Sequence, residues 1–378
     1  MSLVNLPTVN FSQGRDLITI ALSANQTVLL IGDPGVGKSA IVYEAARKLG
    51  MPLYVLLGST LDPTDIGGLP VRAPDSTHVE RIPLTEIQRC AAAPGILFLD
   101  EISSAPGPVQ AALLRLILER VAGSVTMHPG TRIIAACNPP EQTPSGIELT
   151  PPLVGRMSIV RFQPEVDEVL AYFRSLGDVG PEATDMDRAI GDEALAYAAT
   201  ASVSADLLQI DMPKECLAGG TPWASPRSVE RMIRAIAAAR MSGVDVDGQA
   251  TFAAMSGSVG VRVATAYQGI LRMVKDLPTV DQIVADPHKA PCPEDRAKQI
   301  AALSLMPRIG RANLWAGYIY AARLRPEFGV AAHAQLISLT RYQPNLTDPL
   351  TQSGIKARGK ISALVAPTRA GGSKDSGN

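Results

Sequence analysis

Nine residues constrain this chain more than any other stretch: Ile31-Gly32-Asp33-Pro34-Gly35-Val36-Gly37-Lys38-Ser39. An apolar run, Thr27 to Ile31, leads into them, and an amphipathic run, Ser39 to Leu49, leads out. The pattern G-x-x-x-x-G-K-[ST] between a strand and a helix is a phosphate loop. Its glycines let backbone N–H groups converge on an anion at the positive end of the following helix. Residues Gly32, Asp33, Pro34, Gly35, Val36, Gly37, Lys38 and Ser39 are therefore expected to hold a nucleotide's phosphates. Lys38 brings a point charge to the β/γ-phosphates, and the Ser39 hydroxyl ligates Mg2+. The bland alternative, a Gly-rich turn that happens to carry a lysine, is disfavoured by the strand, the helix and the full motif together. The loop reads no base, so it suits GTP as well as ATP.

Around the loop, short apolar runs alternate with helical periodicity. Thr27–Ile31, Pro52–Leu57, Gly95–Leu99 and Ser158–Phe162 read as buried strands, and Pro108–Glu119 as a helix. Val121–Met127 and Arg132–Ala136 read as two strands around a turn at His128-Pro129-Gly130. This alternation predicts an α/β fold on a parallel five-stranded sheet. Between Leu69 and Pro83, Val71-Arg72 and Val79–Ile82 suit a hairpin and a solvated loop equally. Beyond Gln163 the strands vanish. Helices are expected over Glu165–Leu176, Asp192–Ile210 and Ser228–Met241, the last opened by Pro226, and a linker over Gly243–Gly248. Trp315, Tyr318 and Tyr320 lie in a helix-like run, Asn313–Arg323, at core spacing. The expected division is a nucleotide-binding core over 1–164, a helical lid over 165–243, a helical extension over 244–366 and a disordered tail over 367–378.

The chain has 35 basic and 36 acidic residues, so its net charge of −1 gives no global attraction to nucleic acid or anionic membrane. Cys90, Cys137, Cys216 and Cys292 have no C-x-x-C spacing, which argues against a disulfide framework and a zinc site. The amino terminus lacks a basic stretch before an apolar core, and no apolar run approaches about 18 residues. The expectation is a cytoplasmic protein with no membrane partner.

Ile96-Leu97-Phe98-Leu99-Asp100-Glu101 is an apolar strand that delivers two acids to the carboxyl edge of the sheet, where α/β ligand sites lie. Asp100 is expected to hold Mg2+ with Ser39, and Glu101 to polarise an attacking water, which a hydrolase needs and a kinase does not. A strand end that merely caps the next helix is the alternative.

With these motifs in order, the chain resembles the AAA+ ATPases, and within them the MoxR-like branch of the helix 2 insert clade. The resemblance runs from Val28 to Ile236. Asn138 resembles the sensor 1 residue, whose amide orients the water beside Glu101. The segment from Cys137-Asn138-Pro139-Pro140-Glu141-Gln142 to Leu153-Val154-Gly155-Arg156 is similar to the branch's N-P-x-E-Q…L-D-R-F. Arg156 then matches the arginine finger, although Gly155 stands where the branch usually has Asp and Met157 where it has Phe. Arg161 and Arg120 are the alternative fingers. Ser225-Pro226-Arg227 resembles the S-P-R of sensor 2. The resemblance implies Mg2+-dependent ATP hydrolysis at the subunit interfaces of a homo-oligomeric, hexameric ring. It also implies a protein client and a partner with a von Willebrand factor A domain. It makes Val71–Ile82 the helix 2 insert and Val121–Arg132 the pre-sensor 1 hairpin, with Asp75 to His78 and His128 to Gly130 touching the partner. A nucleic-acid-directed motor or loader is the second reading. It needs basic pore loops, and Arg72, Arg81 and His128 are a thin supply. A phosphate-loop kinase is disfavoured by Glu101 and the series Asn138, Arg156 and Arg227.

Overall fold

A computed structural model describes residues 6–73, 78–142, 149–338 and 349–365. In chain order, β1 (Thr8–Val9), α1 (Phe11–Ser23), β2 (Val28–Ile31), α2 (Lys38–Leu49) and β3 (Leu53–Leu57) come first. They are followed by α3 (Pro63–Gly67), β4 (Leu69–Arg72), β5 (Val79–Ile82), α4 (Thr85–Ala92), β6 (Ile96–Asp100) and α5 (Gly107–Glu119). Next come β7 (Val121–Ala122), β8 (Val125–Thr126), β9 (Arg132–Cys137), α6 (Pro151–Val154) and β10 (Ser158–Phe162).

The main sheet is parallel, as its apolar strands demand, in the order β1-β10-β2-β9-β6-β3. It has one strand more than expected. Thr8 and Val9 pair with Arg161 and Phe162 at the edge, and two residues are too few for periodicity to show. Because side chains alternate along a strand, each face of the sheet builds its own core. Leu29, Leu97, Leu99 and Ile133 pack with Leu113 and Leu116 of α5. Val28, Leu30, Phe98 and Ile134 pack with Ile18 of α1 and Ile41 of α2.

Two small hairpins leave the sheet. β4 and β5 pair antiparallel, Leu69 opposite Ile82 and Arg72 opposite Val79, which resolves the ambiguous stretch as a hairpin. Asp75, at its tip, lies outside the described residues. The second hairpin corrects the sequence reading. Val121 to Met127 is not a single strand turning at His128; it folds on itself, β7 against β8. Gly123, at φ +55, supplies the left-handed backbone for this tight turn. The His128–Gly130 stretch is instead anchored to the end of α4, where His128 N and Thr131 Oγ1 both donate to Cys90 O (3.1 and 2.6 Å). The two hairpins are fastened to each other. Ser124 N donates to Arg81 O (2.9 Å), and Arg81 N donates to Ser124 Oγ (2.8 Å). A Cβ on Gly123 would lie 2.3 Å from Arg81 O.

The remainder is helical: α7 (Val166–Ser175), α8 (Asp185–Ala201), α9 (Lys214–Gly219), α10 (Pro226–Met241), α11 (Gln249–Val259) and α12 (Val261–Val274), then α13 (Val280–Ala285), α14 (Arg296–Leu303), α15 (Leu314–Ala321), α16 (Pro326–Ser338) and α17 (Pro349–Val365). Here too a boundary differs from expectation. α8 starts at a capping box, Thr184 with Asp187, and stops at Ala201 rather than Ile210, because the chain leaves the helix for a 3-10 turn at Ala205–Leu207. Pro226 opens α10 as expected. Tyr318 and Tyr320 are buried in α15 and Trp315 is half-buried. The tail at 367–378 lies outside the described residues. No helix among the described residues is long and apolar enough to cross a membrane.

The chain divides into two compact units. One takes the chain up to Glu168 together with Gln209–Arg227, and the other takes Val169–Leu208 together with the chain from Ser228 onward. Within the second, α8 buries Glu193, 2% exposed, whose Oε1 accepts from Arg240 Nε of α10 (2.5 Å) and Arg308 Nη2 (2.9 Å).

Candidate nucleotide site

Three strand ends converge at one edge. β9 lies between β2 and β6 in the parallel sheet, so their carboxyl ends open together where α/β sheets place ligands. β2 delivers the loop from Gly32, β6 delivers Asp100 and Glu101, and β9 delivers Asn138.

Gly35 (φ +80) and Gly37 (φ +103) take backbone conformations that L side chains avoid. Their turns leave the amides of Gly35, Val36, Gly37, Lys38 and Ser39 with no hydrogen-bond acceptor among the described residues. Unpaired donors at the first turn of α2 make a cradle for an anion. Lys38, 7% exposed, donates its Nζ protons to Gly32 O (2.6 Å), Asp33 O (3.0 Å) and Asn138 Oδ1 (2.9 Å). Burial pulls the Lys38 pKa down to about 8, with the Asp100 carboxylate the main opposing influence. The lysine is thus a buried cation held by neutral oxygens, and the cradle fits a phosphate that would supply the missing negative charge.

Ser39 Oγ donates to Asp100 Oδ2 (2.9 Å), and Asp100 Oδ1 accepts from Glu101 N (2.9 Å). The pair sets two hard oxygens side by side, a donor set that suits Mg2+. Glu101 has φ +54, left-handed for a residue with a side chain, at a cost on the order of 1 kcal/mol. Its carboxylate accepts from Ser59 Oγ (3.1 Å), just beyond the end of β3. Gly58 permits this approach, because a Cβ there would meet Glu101 O at 2.6 Å. Next to Asn138, burial pushes the Cys137 thiol up to about 12, so it stays neutral.

The segment 209–227 also reaches the loop. Arg227 N donates to Gly35 O (3.2 Å), and a Cβ on Gly35 would lie 2.8 Å from Ser225 Oγ. The Arg227 side chain is exposed, and its charge contributes to the depression at Lys38. The Asp33 carboxylate is engaged by protein: its Oδ2 accepts from Met212 N (2.5 Å) and its Oδ1 from Gln142 Nε2 (3.2 Å).

The structure therefore brings Lys38, Ser39, Asp100, Glu101, Asn138 and Arg227 together. Arg156 stands apart, exposed beyond α6, its guanidinium without a partner among the described residues. The alternative arginines are engaged locally. Arg161 pairs with Asp211 (3.3 Å), while half-buried Arg120 donates to Asn25 O (3.1 Å) and has its pKa lowered by that burial. Sequence reasoning missed three members of this neighbourhood. Ser59 was findable, since it follows a strand at the ligand edge. Gln142 lay within a motif already noted. The Met212 amide carries no sequence signal at all.

Residues 27–157 match the family model for the AAA domain of the dynein-related subfamily. Over that stretch the chain is similar to AAA domains. The match takes in the loop, Asp100, Glu101 and Asn138, and covers well under half of the chain. Protein MoxR of Methylorubrum extorquens is 36% identical over 106 residues, 28% of this chain and 30% of that protein. Nitrogen fixation protein VnfA of Azotobacter vinelandii is 32% identical over 130 residues, 32% of this chain and 25% of that protein. The chain thus spans about a quarter of the length of the curated relatives it matches. Among solved structures, a RuvB variant of Thermotoga maritima aligns with a TM-score of 0.38 at 17% identity, covering 70% of this chain and 73% of that one.

Proposed function

We propose that this chain is an ATP-hydrolysing AAA+ machine that works as a hexameric ring and remodels a protein client, together with a partner bearing a von Willebrand factor A domain. The observation that carries the hydrolase reading is the Ser39–Asp100 contact, set beside Glu101 and next to the Lys38–Asn138 pair. Bound ATP supplies a phosphoanhydride bond, and Mg2+ neutralises charge on its oxygens. The free amides from Gly35 to Ser39 and the Lys38 ammonium bind the phosphates. Ser39 and Asp100 hold the metal. Glu101 accepts a proton from the attacking water, and Asn138 orients that water. Arg227 reaches the phosphates of its own subunit, from a helical lid over 165–243 that is followed by a helical extension over 244–366.

Arg156 acts on the neighbouring subunit's nucleotide. Its exposed guanidinium, with no partner among the described residues, supports this reading over Arg161 and Arg120, which are engaged within their own chain. Mixing Arg156→Ala with Lys38→Ala is expected to restore part of the ATPase activity that each variant lacks alone, because one supplies the site and the other the finger. Co-assembly without recovery removes Arg156 from that role. For the client, Glu101→Gln held in ATP is compared with Lys38→Ala in affinity purification from the native cell. Enrichment of a von Willebrand factor A protein or another enzyme complex supports remodelling; enrichment of nucleic acid or of replication and restriction proteins instead overturns it.

A further inference from the structure

Asp33 lies inside the phosphate loop, yet its carboxylate is spent on protein. It is 9% exposed, and each oxygen accepts one hydrogen bond from a different segment. Met212 N comes from the excursion 209–227, and Gln142 Nε2 comes from the stretch that follows Asn138. The excursion is fastened at both ends. Near its start, Asp211 Oδ1 accepts from Gln163 Nε2 (2.7 Å) and Arg161 Nη2 (3.3 Å), and at its end Arg227 N donates to Gly35 O. Between them, Gln209 N donates to Ala224 O (2.9 Å), and Trp223 and Ser225 are buried. The strap therefore closes on itself and grips the loop at residues 33 and 35.

We propose that Asp33 is a positioning residue: through its two hydrogen bonds it latches strap 209–227 onto the phosphate loop and so fixes where Arg227 stands. The proposal rests on the nucleotide-binding reading of the loop. The latch works through the two acceptors of Asp33; its charge, which also acts on Lys38, is a separate influence. Gln142 gives a way to separate the two, because its Oε1 is buried with no partner among the described residues. In Asp33→Asn the new amide can accept from Met212 N with its oxygen and, once the Gln142 amide turns over to exchange Nε2 for Oε1, donate to that oxygen with its nitrogen. Asp33→Ala loses both bonds.

The test uses the full chain in a Trp315→Phe background, where Trp223 is the one remaining tryptophan. Three readouts are followed: Trp223 emission, tryptic cleavage at exposed Lys214, and kcat and KM for ATP. Removal of two hydrogen bonds to a buried carboxylate leads us to expect that Asp33→Ala red-shifts Trp223 and speeds cleavage at Lys214 about tenfold or more. kcat should fall by about tenfold, with KM changed less than about threefold. Asp33→Asn should stay within about threefold of the parent on all readouts. Adding Asp33→Ala to Arg227→Ala should lower kcat little further, since both act through one arm. Unchanged Trp223 emission and cleavage in Asp33→Ala overturn the latch, and so does an Asp33→Asn variant as damaged as Asp33→Ala. The first two readouts need no nucleotide. A parent chain that binds no ATP sinks the functional reading while leaving the latch to be judged on its own.

Discussion

Lys38 in the α/β unit and Glu193 in the helical unit are both buried charges, and they are treated differently. In the α/β unit Lys38 is held by two backbone carbonyls and an amide oxygen, with no carboxylate in hydrogen bond to it. In the helical unit Glu193 is held by two guanidinium groups, Arg240 and Arg308. A buried ion without a formal counter-ion is costly unless a ligand completes it. A buried ion already matched by opposite charge is architecture. The difference separates a site from a scaffold without reference to any motif.

The largest test bears on what stands beside the lysine. Glu101→Gln keeps the shape of the site and removes its base, so hydrolysis should fall about a hundredfold or more while ATP binding persists; single-turnover assays with a binding control check it. Near-parental turnover would show that another group activates water. Lys38→Ala should weaken nucleotide binding about a hundredfold, read by titration with a fluorescent ADP. It should not lower the melting temperature, since it deletes a cation that burial disfavours. Glu193→Gln should do the reverse. Removing one partner of a buried pair costs about 3–5 kcal/mol, discounted here to about 2–3 because Arg240 is partly open to solvent. Denaturant unfolding should report that loss, with little change in nucleotide affinity. If Glu193→Gln instead weakens nucleotide binding as much as Lys38→Ala, the contrast between the two charges collapses.

The smallest effect is in pH. Lys38 must be protonated to pair with phosphate, and its pKa in the free protein is about 8. Affinity should be flat below that value and fall above it, roughly tenfold by pH 9 relative to pH 7. Fold stability should respond with the opposite sign. Between pH 8 and the lysine's ordinary 10.5 the unfolded chain binds the proton and the folded chain does not, so this group's contribution favours folding as pH rises. Lys38→Met should abolish both trends.

The sheet was legible because its strands are short, apolar and separated by periodic helices. Each expected strand end lies within a residue or two of the observed one, apart from the second hairpin. That hairpin was misread because Val121-Ala122 and Val125-Thr126 were joined into one strand across Gly123-Ser124, a pair that is itself a two-residue turn signal. The two-residue β1 could not be read from a pattern that needs several residues. At the site, the loop, Asp100, Glu101 and Asn138 were readable because each is tied to a strand end. The contacts of Asp33 were not. They depend on a segment far along the chain, and they use a backbone amide, which every residue but proline has.

The joined hairpins have a mechanical consequence. Two short two-stranded ribbons, each alone in solvent, would bend independently, since isolated ribbons are only marginally stable. Reciprocal bonds between Arg81 and Ser124, with no room for even a methyl group at Gly123, make them one stiff bracket. One leg of that bracket continues from α5, which begins a few residues after Glu101. A small rotation of this helix therefore displaces both ribbons at once, as a crank moves two pins on one web, and a bulkier residue at 123 would split the bracket without touching the nucleotide site.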